Sequence, residues 1–124
     1  MVIIMVRQGL NNLRGLKVKY NNKKTIVDGI KFDSKKEASR YQELRLLQRS
    51  SAITSLMLQP SFVLQEKFKK NGKAIRSIKY IADFSYYENG KRIIEDVKGV
   101  QTEVFKIKKK LFELKYPELT IKIT

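Results

Sequence analysis

"YIADFSYYENGKRIIEDVKG", residues 80–99, decides the fold. It holds two apolar runs with strand character, separated by Asn89-Gly90. An Asn-Gly pair between such runs is a strong signal for a two-residue hairpin loop. With Asn89 and Gly90 as the loop, Glu88 pairs with Lys91, and the register follows by counting. Tyr87 faces Arg92, Ser85 faces Ile94, Asp83 faces Asp96, and Ile81 faces Lys98. Side chains alternate along a strand, so Asp83, Asp96 and Lys98 share one face and Glu95 points the other way. Directly opposed like charges destabilise a hairpin. A divalent cation between the carboxylates would reverse that sign. Proton sharing is a second escape, and Lys98 adds compensating charge. A bulged strand, or frayed ends with both carboxylates in water, is the plain structural alternative. Glu95 is expected to be non-catalytic and paired with a basic residue.

Moving outward from the hairpin, "SFVLQEKFKKNGKAIRSIK" precedes it, and Asn71-Gly72 is a second tight turn. Residues 61–99 therefore read as a three-stranded antiparallel meander, with the residues up to Gln59-Pro60 as a linker. Further upstream, "KKTIVDGIKF" (residues 23–32) carries an Asp-Gly hairpin signal. "SKKEASRYQELRLLQRS" follows, with Ser34 as N-cap and Ala38, Tyr41, Leu44 and Leu47 at helical spacing. This predicts a helix from about Lys35 to Arg49. Downstream, Thr102 caps a second helix that ends before Pro117, with Val104, Ile107, Leu111 and Leu114 as its apolar stripe. "ELTIKIT" closes the chain as a strand. The order α-β-β-β-α-β implies a crossover and a last strand parallel to the third, giving one mixed sheet flanked by helices.

The chain has 124 residues, 42% of them hydrophobic, enough for one core. Residues 1–20 read as a basic arm or extension, for a partner or for dimerisation, and 21–124 as a single domain. Lys and Arg number 27 against 12 Asp and Glu, a formal net charge of +15. Such an excess points to a polyanion, nucleic acid before an anionic membrane surface. With no cysteine and no histidine, thiolate chemistry, disulfides, His triads and His metal ligands are excluded. Any metal site must be built of oxygen, which favours Mg²⁺, Mn²⁺ or Ca²⁺. "MVIIMV" is too short for a membrane span or a signal peptide, so the expected compartment is the cytoplasm.

"FDSKKEASRYQEL" (32–44), "LQP" (58–60), "YIADF" (80–84) and "EDVKG" (95–99) come in a specific order. Asp83 followed by Asp96-Val97-Lys98 resembles the PD-(D/E)XK signature of the restriction-endonuclease-like nuclease superfamily. The whole run is similar to a family of small phage and prophage proteins catalogued as a domain of unknown function, and to certain transposase endonuclease subunits. The resemblance covers roughly residues 23–124, and departs from the signature at Ala82, where proline is usual. It implies that Asp83 and Asp96 ligate a metal, with the Val97 carbonyl completing the set. It implies that Lys98 orients or activates water and stabilises developing charge, and that Glu37 is a third acidic group. Glu37 has a rival explanation, because Ser34-Lys35-Lys36-Glu37 is a capping box.

The expected function is a Mg²⁺-dependent DNA endonuclease, with Mn²⁺ able to substitute, acting as a homodimer on branched DNA such as Holliday junctions. The alternative is a non-catalytic nucleic-acid-binding module on the same fold. Gln59, Lys67, Lys69, Lys70, Lys73, Lys106, Lys109 and Lys110 are the candidate DNA contacts. For Gln59 the competing explanation is a turn residue before Pro60, and for the lysines a solvated face.

Overall fold

The computed structural model of the chain describes residues 24–124. It is mixed α/β, and among the described residues it has two helices and several sheets, one of them mixed. The arm expected over residues 1–20 lies outside the described residues. The chain falls into two compact units, divided between Ala52 and Ile53.

In the first unit, β1 (Thr25–Val27) and β2 (Ile30–Phe32) form the hairpin expected from Asp28-Gly29. Asp28 and Gly29 have φ of 53° and 75°, the left-handed pair that a two-residue turn of this kind requires. Helix α1 spans Lys35–Arg49 as predicted. Ser34 Oγ accepts from the Glu37 amide at 3.1 Å, and Glu37 Oε1 accepts from the Asp33 amide at 3.1 Å. The capping box therefore forms, with the glutamate reaching one residue further back than the usual N-cap amide. Ala38, Tyr41 and Leu44 are buried, while Leu47 lies at the exposed edge of the stripe. Tyr41 donates to Asp28 Oδ2 at 3.1 Å and accepts from Arg45 Nη1 at 2.9 Å, which ties the helix to the hairpin tip.

The second unit is dominated by one long antiparallel hairpin. Its outgoing arm is β3 (Thr54–Leu58), β4 (Ser61–Gln65) and β5 (Phe68–Lys70). Its return arm is β6 (Lys73–Ile75), β7 (Ile78–Ile81) and β8 (Phe84–Glu88). Leu58 pairs with Phe84, Ser61 with Ile81 and Phe68 with Ile75, so one register runs through with small shifts. The tip is Asn71-Gly72, as predicted. β8 turns back at Asn89-Gly90 into β9 (Lys91–Asp96).

Two expectations about the strands need correcting. The stretch expected to be a linker before Pro60 contains β3, which pairs with β8 and forms one edge of a four-stranded sheet. A register shift between Thr54 and Met57, with Ser55 at φ 56°, breaks the alternation that would have revealed it. The second correction is that the return arm is interrupted at Ala82-Asp83. Ile81 is paired with Ser61, and the expected Ile81–Lys98 rung is not part of the ladder.

Helix α2 (Glu103–Lys115) and β10 (Ile121–Ile123) complete the crossover. Thr102 Oγ1 caps α2 by accepting from the Phe105 amide at 3.1 Å. β10 lies parallel to β9, with Ile121 beside Ile94 and Ile123 beside Asp96, as the α-β order implied. The apolar stripe of α2 differs from expectation. Val104, Ile107, Leu111 and Leu114 are exposed, by 79% at Leu114, while Phe105 and Phe112 are buried. Two apolar stripes compete on this helix, and the aromatic one is buried because it has aromatic partners. Phe112 meets Phe62 edge-on at 5.0 Å, Tyr80 at 5.3 Å and Tyr116 at 5.1 Å. Phe62, Tyr80, Ala82, Ile94, Phe105, Phe112, Leu119 and Ile121 form this core.

Candidate active site

The hairpin register counted from Asn89-Gly90 holds for Glu88–Lys91, Tyr87–Arg92 and Ser85–Ile94, and it continues to Phe84–Glu95. The ladder then stops one step before Asp83 and Asp96. In a regular hairpin the next bonded rung would join Ala82 and Val97. Ala82 instead donates its amide to the Pro60 carbonyl at 3.1 Å. The Val97 amide donates to Asp83 Oδ2 at 2.8 Å. A carboxylate oxygen thus stands in for a missing backbone acceptor. The same bond ties Asp83 to the Asp96-Val97-Lys98 segment. Asp83 is held on its main chain too, by an amide bond to the Glu95 carbonyl (3.2 Å) and a carbonyl bond from the Gln59 amide (2.9 Å).

Asp96 ends β9, two residues after Ile94 and on the same face, over the core beneath α2. It is 1% exposed. A buried carboxylate must be hydrogen-bonded or paired. The Tyr80 hydroxyl donates to Asp96 Oδ2, and Lys98 Nζ lies 4.0 Å from the same oxygen. Lys98 is partly exposed, and its ammonium also sits 4.6 Å from the centroid of the Phe105 ring. Ring and carboxylate together restrain a side chain that would otherwise sample many rotamers. The main chain around Lys98 is fixed by β10: Lys98 donates to the Thr124 carbonyl at 3.2 Å, and Thr124 donates to the Asp96 carbonyl at 2.9 Å.

Glu95 is fully buried and points to the opposite face, as the register requires. Tyr86 donates to its Oε1 at 2.6 Å and Thr124 Oγ1 to its Oε2 at 3.1 Å, so two hydroxyls hold it. Gln59 lies across the ladder from Asp83 with φ of 49°. A left-handed conformation in a residue with a Cβ stores roughly 1–3 kcal/mol of strain, here beside a candidate ligand. Glu37 belongs to the first unit, where it caps α1. Lys67, Lys69, Lys70 and Lys73 are exposed on and around the β5–β6 ribbon. Lys106 and Lys110 are exposed, while Lys109 is half-buried and pairs with Glu113 at 3.3 Å, on the packed side of the helix.

Two residues given no role in the sequence analysis act on this cluster, Tyr80 through its bond to Asp96 and Glu113 through its charge. Burial raises the Tyr80 pKa, helped by its bond to Asp96 and by the negative charges of Asp96, Asp83 and Glu113. Alternation along an unbroken strand would have put Tyr80 and Asp83 on opposite faces, so only the interruption at Ala82-Asp83 could have revealed this role. The carboxylates gathered around Tyr80 are those of Asp83 and Asp96. Among the described residues, no group of three or more His, Cys, Asp or Glu side chains is placed to hold a metal.

Tyr80→Phe is expected to cost about 1–3 kcal/mol of stability, because a buried carboxylate loses a donor. It also changes the alkaline limb of stability. The unfolded chain ionises this phenol near the usual value of about 10, and the folded chain only at higher pH. The contribution of that proton is therefore full below about pH 10 and falls above it, by about 1.4 kcal/mol per pH unit. Urea denaturation of wild type and Tyr80→Phe across this range measures the difference, and parallel pH profiles would refute it.

The profile of the family described as "Protein of unknown function (DUF1064)" matches residues 17–124. The chain belongs to that family. The DUF1064 match takes in both helices, every described strand and all the residues of the Asp83–Asp96–Lys98 cluster. No curated protein and no solved structure matches the chain. Among the described residues, no helix is long and apolar enough to cross a membrane.

Proposed function

We propose that the chain is a metal-dependent DNA endonuclease of restriction-endonuclease-like architecture, a member of the PD-(D/E)XK superfamily that acts in the cytoplasm. The observation that carries this reading is the bond from the Val97 amide to Asp83, which joins Asp83 to the Asp96-Val97-Lys98 segment. The mixed sheet, with α2 crossing over to a parallel β10, is compatible with that superfamily's core order. The net charge of +15 suits a polyanionic substrate.

The donors fit a hard divalent cation. Mg²⁺ is usually held by one or two carboxylates and keeps several waters. Asp83, Asp96 and the Val97 carbonyl would hold it, with Mn²⁺ able to replace it. When bound, the ion supplies Lewis acidity toward a phosphate oxygen and lowers the pKa of water. Hydrolysis adds water across a P–O bond. Lys98 contributes positive charge where the phosphoryl oxygens and the departing oxygen gain negative charge. Tyr80 is a positioning residue that fixes the Asp96 carboxylate, and the strained Gln59 holds the backbone at Asp83. Glu37 is proposed as a further acidic group on the sequence pattern alone. The protein is proposed to work as a homodimer, since cutting a duplex requires two cleavages, and to act on branched DNA.

A second reading, a binding module without catalysis, is favoured by the absence of a three-ligand acidic group among the described residues. One assay separates the two. Branched, linear duplex and single-stranded DNA are incubated with wild type, Asp83→Ala, Lys98→Ala and Glu37→Gln, with and without Mg²⁺ or Mn²⁺. Cleavage by wild type that needs the metal and is lost in Asp83→Ala and Lys98→Ala supports the nuclease. Retained cleavage in Glu37→Gln assigns Glu37 to capping alone. Uncut substrates, or variants that cut like wild type, leave the binding module.

A further inference from the structure

Beyond Gln65 the long hairpin leaves the core. Every residue from Gln65 to Arg76 is exposed, on both strands and in the turn. A two-stranded ribbon standing alone in water is marginal at best. This one also carries a feature that weakens it. Lys70 and Lys73 are directly opposed across the turn, and like charges in that position destabilise a hairpin. On the same face, Phe68 is paired with Ile75. Lys69, paired with Ala74, points the other way. Lys67 and Arg76 flank the base of the ribbon, and the single acidic residue from 65 to 76 is Glu66.

We propose that the β5–β6 ribbon is an arm that enters the major groove of duplex DNA. Cations on one face alone would suit a flat anionic surface. Cations on both faces suit a cleft with phosphates on either side. Two paired strands lie about 4.8 Å apart, and the major groove, about 12 Å wide, admits a two-stranded ribbon with its side chains. Phosphates of the two DNA strands then neutralise Lys70 and Lys73 on one side and Lys69 on the other. The repulsion in the free ribbon is relieved when the groove is occupied. The inference rests on the nucleic-acid reading above, but binding requires no cleavage.

The test measures binding of fluorescein-labelled linear duplex and of the matching single strand by anisotropy, in EDTA, over a salt series. Wild type is compared with Lys69→Gln/Lys70→Gln/Lys73→Gln. For the duplex, the variant is expected to bind at least about tenfold more weakly, with a slope of log K against log salt shallower by about two to three. The loss on single strand is expected to be much smaller. The variant should melt at the wild-type temperature or slightly above, since the three lysines are exposed and a like-charge pair has gone. Wild-type duplex affinity and salt slope in the variant would overturn the arm. An equal loss on single strand would overturn groove entry, and so would wild type that fails to bind duplex. Because binding is read in EDTA, wild type that binds through the ribbon here but never cuts in the Mg²⁺ and Mn²⁺ assay above sinks the nuclease reading and leaves the arm standing.

Discussion

Asp96→Asn is expected to lower Mg²⁺-dependent cleavage by roughly a thousand-fold or more, while Glu95→Gln stays within a few-fold of wild type. Loss of metal-assisted charge stabilisation is worth several kcal/mol, at about 1.4 kcal/mol per tenfold. The comparison is informative because the two carboxylates are neighbours in sequence and both buried, at 1% and 0% exposure. They differ in face. Asp96 shares Oδ2 between Tyr80 and Lys98. Glu95 is held by Tyr86 and Thr124 on the other side of the sheet. Asn keeps the shape of Asp and can still accept from Tyr80, so the fold should survive, as circular dichroism would show. Single-turnover cleavage of the best substrate measures the effect. If Glu95→Gln loses activity and Asp96→Asn keeps it, the face assignment and the proposed site both fail.

Phe112→Ala is expected to destabilise the protein by about 3–5 kcal/mol, the usual cost of emptying a fully buried phenylalanine site. Phe112 is the centre of the aromatic cluster, touching Phe62, Tyr80 and Tyr116. The cavity would open next to Tyr80, so the support of Asp96 should weaken with it. Leu114→Ala, two residues further along the same helix, should change stability by less than about 0.5 kcal/mol, since Leu114 is largely in solvent. Denaturant titration of the pair decides which stripe of α2 faces the core. Equal losses would put the helix in a different rotation.

That pair also shows where sequence reading fails. Val104, Ile107, Leu111 and Leu114 have good helical spacing, but periodicity cannot say which of two apolar stripes has partners. Phe105 and Phe112 are the better fit to Phe62 and Tyr80, contacts that exist only after the hairpin has formed. β3 was illegible for a different reason: its alternation is broken at Ser55 by a left-handed residue. The helix ends were legible because Ser34 and Thr102 act through bonds only three residues long. The hairpin register was legible because Asn89-Gly90 fixes it locally. It remained predictable only up to Phe84–Glu95, where a non-local competitor, the Pro60 carbonyl, takes the Ala82 amide. Tyr80 entered the candidate site through that same interruption.

The long hairpin that runs from Thr54 to Glu88 has a kinetic corollary. Its strands can zip outward from Asn71-Gly72, and β9 can add from Asn89-Gly90, each by closing short loops on the microsecond scale. β10 is different. It must pair with β9 across the whole of α2, and parallel pairings over such a crossover pay their loop entropy before any contact rewards it. The slow step in folding the second unit should therefore be the docking of α2 and β10. Substitutions at Ile121 should then slow refolding, and so should those at Val63, whose pairing with Lys79 forms before that step, with little change in the unfolding rate. The Lys98 main chain, bonded to Thr124, would be among the last parts of the molecule to take its final place.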